Sequence, residues 1–162
     1  MTSRLLVTLL AIAAAAGACD PVYDDQVDRL GPEAPGVRKG PLHRPGQPCV
    51  LCHDGTTGDP PRFTVGGTVY VDVNNLTPAD GATVSLTSAD GTHYDAKTNA
   101  AGNFYVVPSQ FVPAYPLTVV VSYSNSKATM YGHVGRDGSC SDCHTDPSSP
   151  SSAGHIYAEG AP

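Results

Sequence analysis

The sequence holds two copies of one five-residue pattern with direct chemical meaning, Cys49-Val50-Leu51-Cys52-His53 and Cys140-Ser141-Asp142-Cys143-His144. In each copy two thiols, separated by two residues, can add to the two vinyl groups of a single haem. The histidine that follows at once can reach the iron from one face. Attachment and iron ligation then come from one short segment. The expected cofactors are therefore two covalently bound haems. One would sit on Cys49 and Cys52 with His53 as proximal ligand, the other on Cys140 and Cys143 with His144. Two other chemistries use paired cysteines. A thioredoxin-like redox disulfide opens a helix in a βαβ pattern, and no such pattern is present. A structural zinc site would take four thiolates and leave both adjacent histidines without a role.

The second axial ligand decides what such a site does. Imidazole on both faces closes the iron and leaves electron transfer, whereas an open face permits ligand binding or peroxide chemistry. Of the six histidines, two are proximal and four remain: His43, His93, His133 and His155. His93 lies in an expected strand between Thr92 and Tyr94 and is expected on the surface. His43 stands six residues before Cys49 and His133 seven before Cys140, a weak internal repeat. A histidine that close needs a tight turn to reach the far face of its own haem. Capping the neighbouring haem is easier if the two groups lie together. His43 can also be read as a plain linker residue. His155, beside Ile156-Tyr157 in the tail, is the third candidate, and Met130 is read as packing before ligation.

The remaining elements must position these groups. Arg4 and the apolar residues 5–16 read as a signal segment, too short for an ordinary membrane span. Ala16-Gly17-Ala18-Cys19 reads either as a general signal-peptidase site or as a sequence that resembles a bacterial lipobox, with Cys19 lipidated. The lipobox reading gives the fifth cysteine a use, since the other four fall into two pairs. Residues 19–48 are rich in Pro and Gly with no hydrophobic period and are expected to be a tether. Residues 49–61 form the first haem-binding segment and residues 132–162 the second, with the tail. Between them, residues 62–131 alternate in the β manner. Strands are expected over 63–65 and 67–73, then 82–87, 92–97, 103–107, 117–123 and 127–131. Turn signals separate them at Asp80-Gly81, Asp90-Gly91, Ala101-Gly102 and Ser124-Asn125-Ser126. The fold class is thus mostly β: a small antiparallel β-sandwich flanked by two irregular haem-binding segments. Its core is expected to hold Val69, Val71, Val84, Leu86, Phe104, Val106, Val119 and Val121. The Gly66-Gly67 pair marks a bulge or a close approach. No useful helical period is expected after residue 18. Strands alternating in direction would bring both Cys-x-x-Cys-His segments to one end of the sandwich.

The middle segment resembles the carboxypeptidase regulatory-like domain, a transthyretin-like β-sandwich. The residues that carry this are Gly67-Thr68-Val69-Tyr70, then 79–86 (Ala-Asp-Gly-Ala-Thr-Val-Ser-Leu) and 98–106 (Thr-Asn-Ala-Ala-Gly-Asn-Phe-Tyr-Val). The family implies a scaffold without catalytic chemistry of its own. The two flanking motifs make the chain similar to multihaem c-type cytochromes of bacteria. That resemblance implies low-spin haems and electron-carrier partners. With a formal charge of −6 and haem propionates adding to it, binding to nucleic acid or through a basic patch to an anionic membrane is not expected.

The expected function is a di-haem electron-transfer lipoprotein of the cell envelope, not an enzyme. It would face the periplasm or the cell surface and be tethered by its N-terminal lipid. Its partners would be other cytochromes or redox proteins of the envelope. Self-assembly through a histidine given to a neighbouring chain is also open. One alternative is a haem peroxidase-like enzyme or sensor with one open iron. A second is a surface scaffold or adhesion lipoprotein whose cysteines only form disulfides.

Overall fold

A computed structural model of the chain describes residues 21–145 and 150–159. The expected signal segment and the lipidation candidate Cys19 lie outside these. The chain divides into two compact units, residues 1–32 and 33–162. In the first, Pro21–Arg29 forms a helix, α1, where an irregular tether was expected. Pro21 takes the first helical position, where a missing N–H costs nothing. Asp24 in the first turn and Arg29 in the last suit the helix dipole. Arg29 also pairs with Asp25 one turn back. Charges interrupt any apolar stripe, which is why hydrophobic periodicity does not reveal this helix.

The second unit is built on β-structure. Its strands are β1 (Val65–Asp72), β2 (Asn75–Pro78), β3 (Thr83–Thr87), β4 (His93–Lys97), β5 (Asn103–Val106), β6 (Thr118–Tyr123), β7 (Ser126–Thr129) and β8 (Ile156–Tyr157). One sheet pairs β1 antiparallel with β2 and β5, and β8 joins β1 in parallel. The other runs β4-β3-β6-β7, antiparallel throughout. Burial alternates along β3 and through most of β6, as the branched residues of those segments require. The inward side chains merge into one core. Val65, Val69, Phe104 and Val106 come from the first sheet, and Val84, Leu86, Val119 and Val121 from the second. All the expected core residues are buried there except Val71, which packs on the core while partly exposed.

Two strands were not expected. β2 is short, ends in proline, and exposes Leu76; it follows an irregularity in register between Tyr70 and Asp72. β8 has two residues, too few to show a period. The segments 63–65 and 67–73 are a single strand from Val65 onward, so the glycine pair does not interrupt it. The expected Ala101-Gly102 turn is present, with Gly102 at φ 75. A Cβ there would stand 2.3 Å from the Val69 carbonyl oxygen, so only glycine fits.

The segments flanking the sandwich are anchored to it. Buried Thr68 accepts a hydrogen bond from the Gly46 amide at 2.7 Å. The Asn103 amide donates to the His43 carbonyl at 2.9 Å, and that of Asn99 to the Pro41 carbonyl at 2.6 Å. Residues 41–46 are therefore docked on β1 and the start of β5, which corrects their assignment to a free tether. After β7 the chain runs back beside β1. Gly66 donates to Gly138 at 2.9 Å, Ala158 to Tyr70 at 2.8 Å and Glu159 to Val71 at 2.9 Å. Among the described residues no helix is long and apolar enough to cross a membrane.

Candidate functional site

The first motif forms one helical turn, α2 (Cys49–Cys52), closed by the His53 amide donating to the Cys49 carbonyl at 3.0 Å. The following loop folds tightly over it. A Cβ on Gly58 would stand 1.8 Å from the Cys52 carbonyl oxygen. The Asp54 carboxylate accepts bonds from the Thr56 and Thr57 hydroxyls and from the amides of Thr56, Thr57 and Gly58. Those hydroxyls and amides hold it well below the usual carboxylate range. This loop brings the Asp59 and Pro61 carbonyl oxygens to 2.9 and 3.0 Å from Nδ1 of buried His53. Carbonyls only accept, so Nδ1 carries the proton and Nε2 keeps its lone pair for a metal. Phe63 lies against the His53 ring at 4.2 Å between centroids and stacks in turn on Tyr105 at 4.7 Å.

The second motif repeats this geometry on another part of the chain. A short 3₁₀ turn, Cys140–Asp142, leads to His144, whose amide donates to the Cys140 carbonyl at 2.9 Å. His144 Nδ1 stands 2.6 Å from the Gly154 carbonyl oxygen, which again puts the proton on Nδ1 and leaves the Nε2 lone pair available. The return segment is tied to the motif by the Ala153 amide, which donates to the Cys143 carbonyl at 2.9 Å.

The two motifs meet on β1. A Cβ on Gly66 would come 3.0 Å from Cys49 Cβ, and one on Gly67 would come 2.8 Å from Cys140 Cβ. Successive strand residues face opposite ways, so the two leading cysteines are seated on consecutive glycines, on opposite faces of one strand. Both cysteines are half-buried there. Burial pushes Cys49 up to about 11 and Cys140 up to about 12, with each thiol's repulsion of nearby negative charge adding to it. The close approach expected at Gly66-Gly67 is thus made by the two motifs. Strand alternation is not what joins them, since β2 adds a reversal; the return of residues 138–139 along β1 does it. All four motif cysteines are free thiols.

The candidate second ligands divide between the motifs. His43 lies with the first: its ring centroid is 6.0 Å from that of His53. Turns closed by His43 N to Gly40 O and Gln47 N to Arg44 O supply the needed tight bend. His133, His155 and Met130 line a cavity of about 890 Å³ that His144, Cys140 and Cys143 also line. Its inner wall includes Phe104, Val84, Val119 and Val121, so it opens into the space between the sheets. His43 thus stands beside the first motif, and His133 shares a cavity wall with the second. His93 is exposed, with Nε2 3.0 Å from Asp95, as expected of a surface residue. Among the described residues no three His, Cys, Asp or Glu side chains gather into a metal-binding group. A porphyrin supplies four of its iron's ligands, so a haem asks for no such group. No protein-family model, curated protein or solved structure matches this chain.

Proposed function

We propose that this chain is a di-haem electron carrier of the c type, with one haem on Cys49, Cys52 and His53 and the other on Cys140, Cys143 and His144. One observation carries the reading. Two separate Cys-x-x-Cys-His turns, 91 residues apart, are seated side by side on Gly66 and Gly67, each with its histidine Nδ1 bonded to backbone carbonyl oxygen. A disulfide gives that tautomer no role, and a zinc site of four thiolates would leave both histidines unused. The residues present fit the group. Four free thiols stand at the attachment positions, both Nε2 atoms are left for iron, and the cavity beside the second motif lies in the roughly 300–1,000 Å³ range of cofactor sites.

When bound, each haem supplies a one-electron iron couple. The chain's part is to hold and orient. The thiols fix each group covalently, which suits a protein that works outside the cytoplasm. The carbonyls of Asp59, Pro61 and Gly154 fix the imidazoles, and β1 sets both attachment points on neighbouring residues. We assign no general base, nucleophile or substrate pocket, and read the protein as a carrier between redox partners of the envelope. Membrane attachment through a lipid on Cys19 completes the proposal. The test is expression with export and a working haem-maturation system, followed by a haem stain on a denaturing gel and intact mass. Two haems that remain with the denatured chain are expected. A chain exported under those conditions without bound haem would end this reading.

A further inference from the structure

Two buried polar atoms in the second unit make no hydrogen bond among the described residues, Glu33 Oε1 and His43 Nδ1. They face each other at 3.8 Å. Buried donors and acceptors are rarely left in this state, and a carboxylate facing a histidine has a recurrent use. It accepts the proton of one ring nitrogen while the other nitrogen binds a metal. The place of His43 agrees with that use. Its ring centroid is 6.0 Å from that of His53, with the ring planes at 40°. Two imidazoles held by metal–nitrogen bonds of about 2.0 Å on opposite faces of one iron have centroids on the order of 6 Å apart.

The His43 loop is a built position. The His43 carbonyl accepts from buried Asn103, and the Gly46 amide donates to buried Thr68, which in turn donates to Asn103 at 2.7 Å. These bonds hold residues 43–46 against β1 and β5, on the strand that also seats Cys49. A tether residue caught there by chance would have no reason to bring a carboxylate with it.

We propose that Glu33 is a positioning residue for the first haem: its carboxylate accepts the Nδ1 proton of His43 and turns Nε2 of His43 to the iron opposite His53. This rests on the di-haem reading above. A carboxylate behind an axial imidazole makes that ligand more basic and favours the ferric iron. The first haem is then the one whose potential depends on Glu33.

The experiment uses the full-length protein loaded with haem, examined by electron paramagnetic resonance and by potentiometric titration. His43→Ala should turn one of the two haems high-spin, and added imidazole should return it to low-spin. Glu33→Gln should leave both haems low-spin and shift one redox equilibrium about tenfold toward the reduced form, roughly 59 mV for one electron. Glu33→Asp should restore part of that shift. Two low-spin haems with native potentials in His43→Ala would overturn the proposal, as would a Glu33→Gln protein with both potentials unchanged. In either case covalent haem would still be present, so the failure would be separate from that of the di-haem reading, which the mass of the native chain decides.

Discussion

Gly67→Ala is the sharpest probe of how the two motifs are joined. The added Cβ would stand 2.8 Å from Cys140 Cβ and 3.1 and 3.2 Å from two ring carbons of Phe104. Ordinary carbon contacts lie at about 3.5–4.0 Å, so about 0.7 Å must be found against Cys140 alone. Phe104 is only 1% exposed, and Cys140 is held by the Gly66–Gly138 hydrogen bond and its own turn. Phe104 has no solvent to swing into, and half-buried Cys140 can give way only with its turn. Overpacking of this kind costs about 1–3 kcal/mol, offset by about 0.4–1 kcal/mol from the smaller entropy of the unfolded chain. A net loss of about 1–2 kcal/mol follows, on the order of 2–8 °C in melting temperature. Gly66→Ala meets Cys49 Cβ at 3.0 Å and should cost less. Gly135→Ala meets nothing within 4 Å and should stay within about 0.5 kcal/mol of the native chain. Thermal unfolding followed by far-ultraviolet circular dichroism ranks the three. If Gly67→Ala melts with Gly135→Ala, or above it, Cys140 is not seated on β1 and the proposed junction of the two motifs fails.

Two further outcomes concern ionisation. In the haem-free reduced chain, half-buried Cys49 and Cys140, pushed up to about 11 and about 12, should react slowly with iodoacetamide at pH 8, where the exposed Cys143 is modified first. Peptide mapping of a timed reaction reads the order, and prompt modification of Cys140 in the folded chain would contradict the raised thiol. The Tyr115 phenol is pushed up to about 12, chiefly by burial, with Asp137 and Cys140 adding to it. Its unfolded value is about 10, so the folded state holds the proton longer. The stability this confers is complete below pH 10 and is lost as pH rises toward 12. Urea unfolding at pH 9 and pH 11 should show that decline, and Tyr115→Phe should flatten it.

Much of the fold was legible because β3 to β6 combine branched residues, period-two alternation and glycine turns, so local preference and burial agree. The exceptions have physical causes. Helix α1 is stabilised by its ends and by ion pairing, which leave no apolar stripe. β2 and β8 are too short to show alternation and exist because β1 offers them backbone partners. The docking of residues 41–46 depends on Thr68 and Asn103, whose side chains meet only after the strands have paired. At the site, cysteine and histidine spacing was sufficient to pick out both motifs and the three candidate ligands. It could not place His43 beside His53, because that depends on turns at Gly40–His43 and Arg44–Gln47. Glu33 carries no local signal: it acquires meaning only from the buried atom it faces.

The run of the C-terminal segment beside β1 has one more consequence. Gly138, Ala158 and Glu159 occupy backbone positions along Gly66, Tyr70 and Val71 that would otherwise offer unpaired hydrogen-bonding groups. Such a margin is a template on which another chain can add a strand. The segment that carries the second motif therefore also guards the sheet against aggregation. A chain cut short before residue 138 would lose more than the second motif: it would present a sticky strand to its neighbours, and selection for solubility alone would oppose that loss.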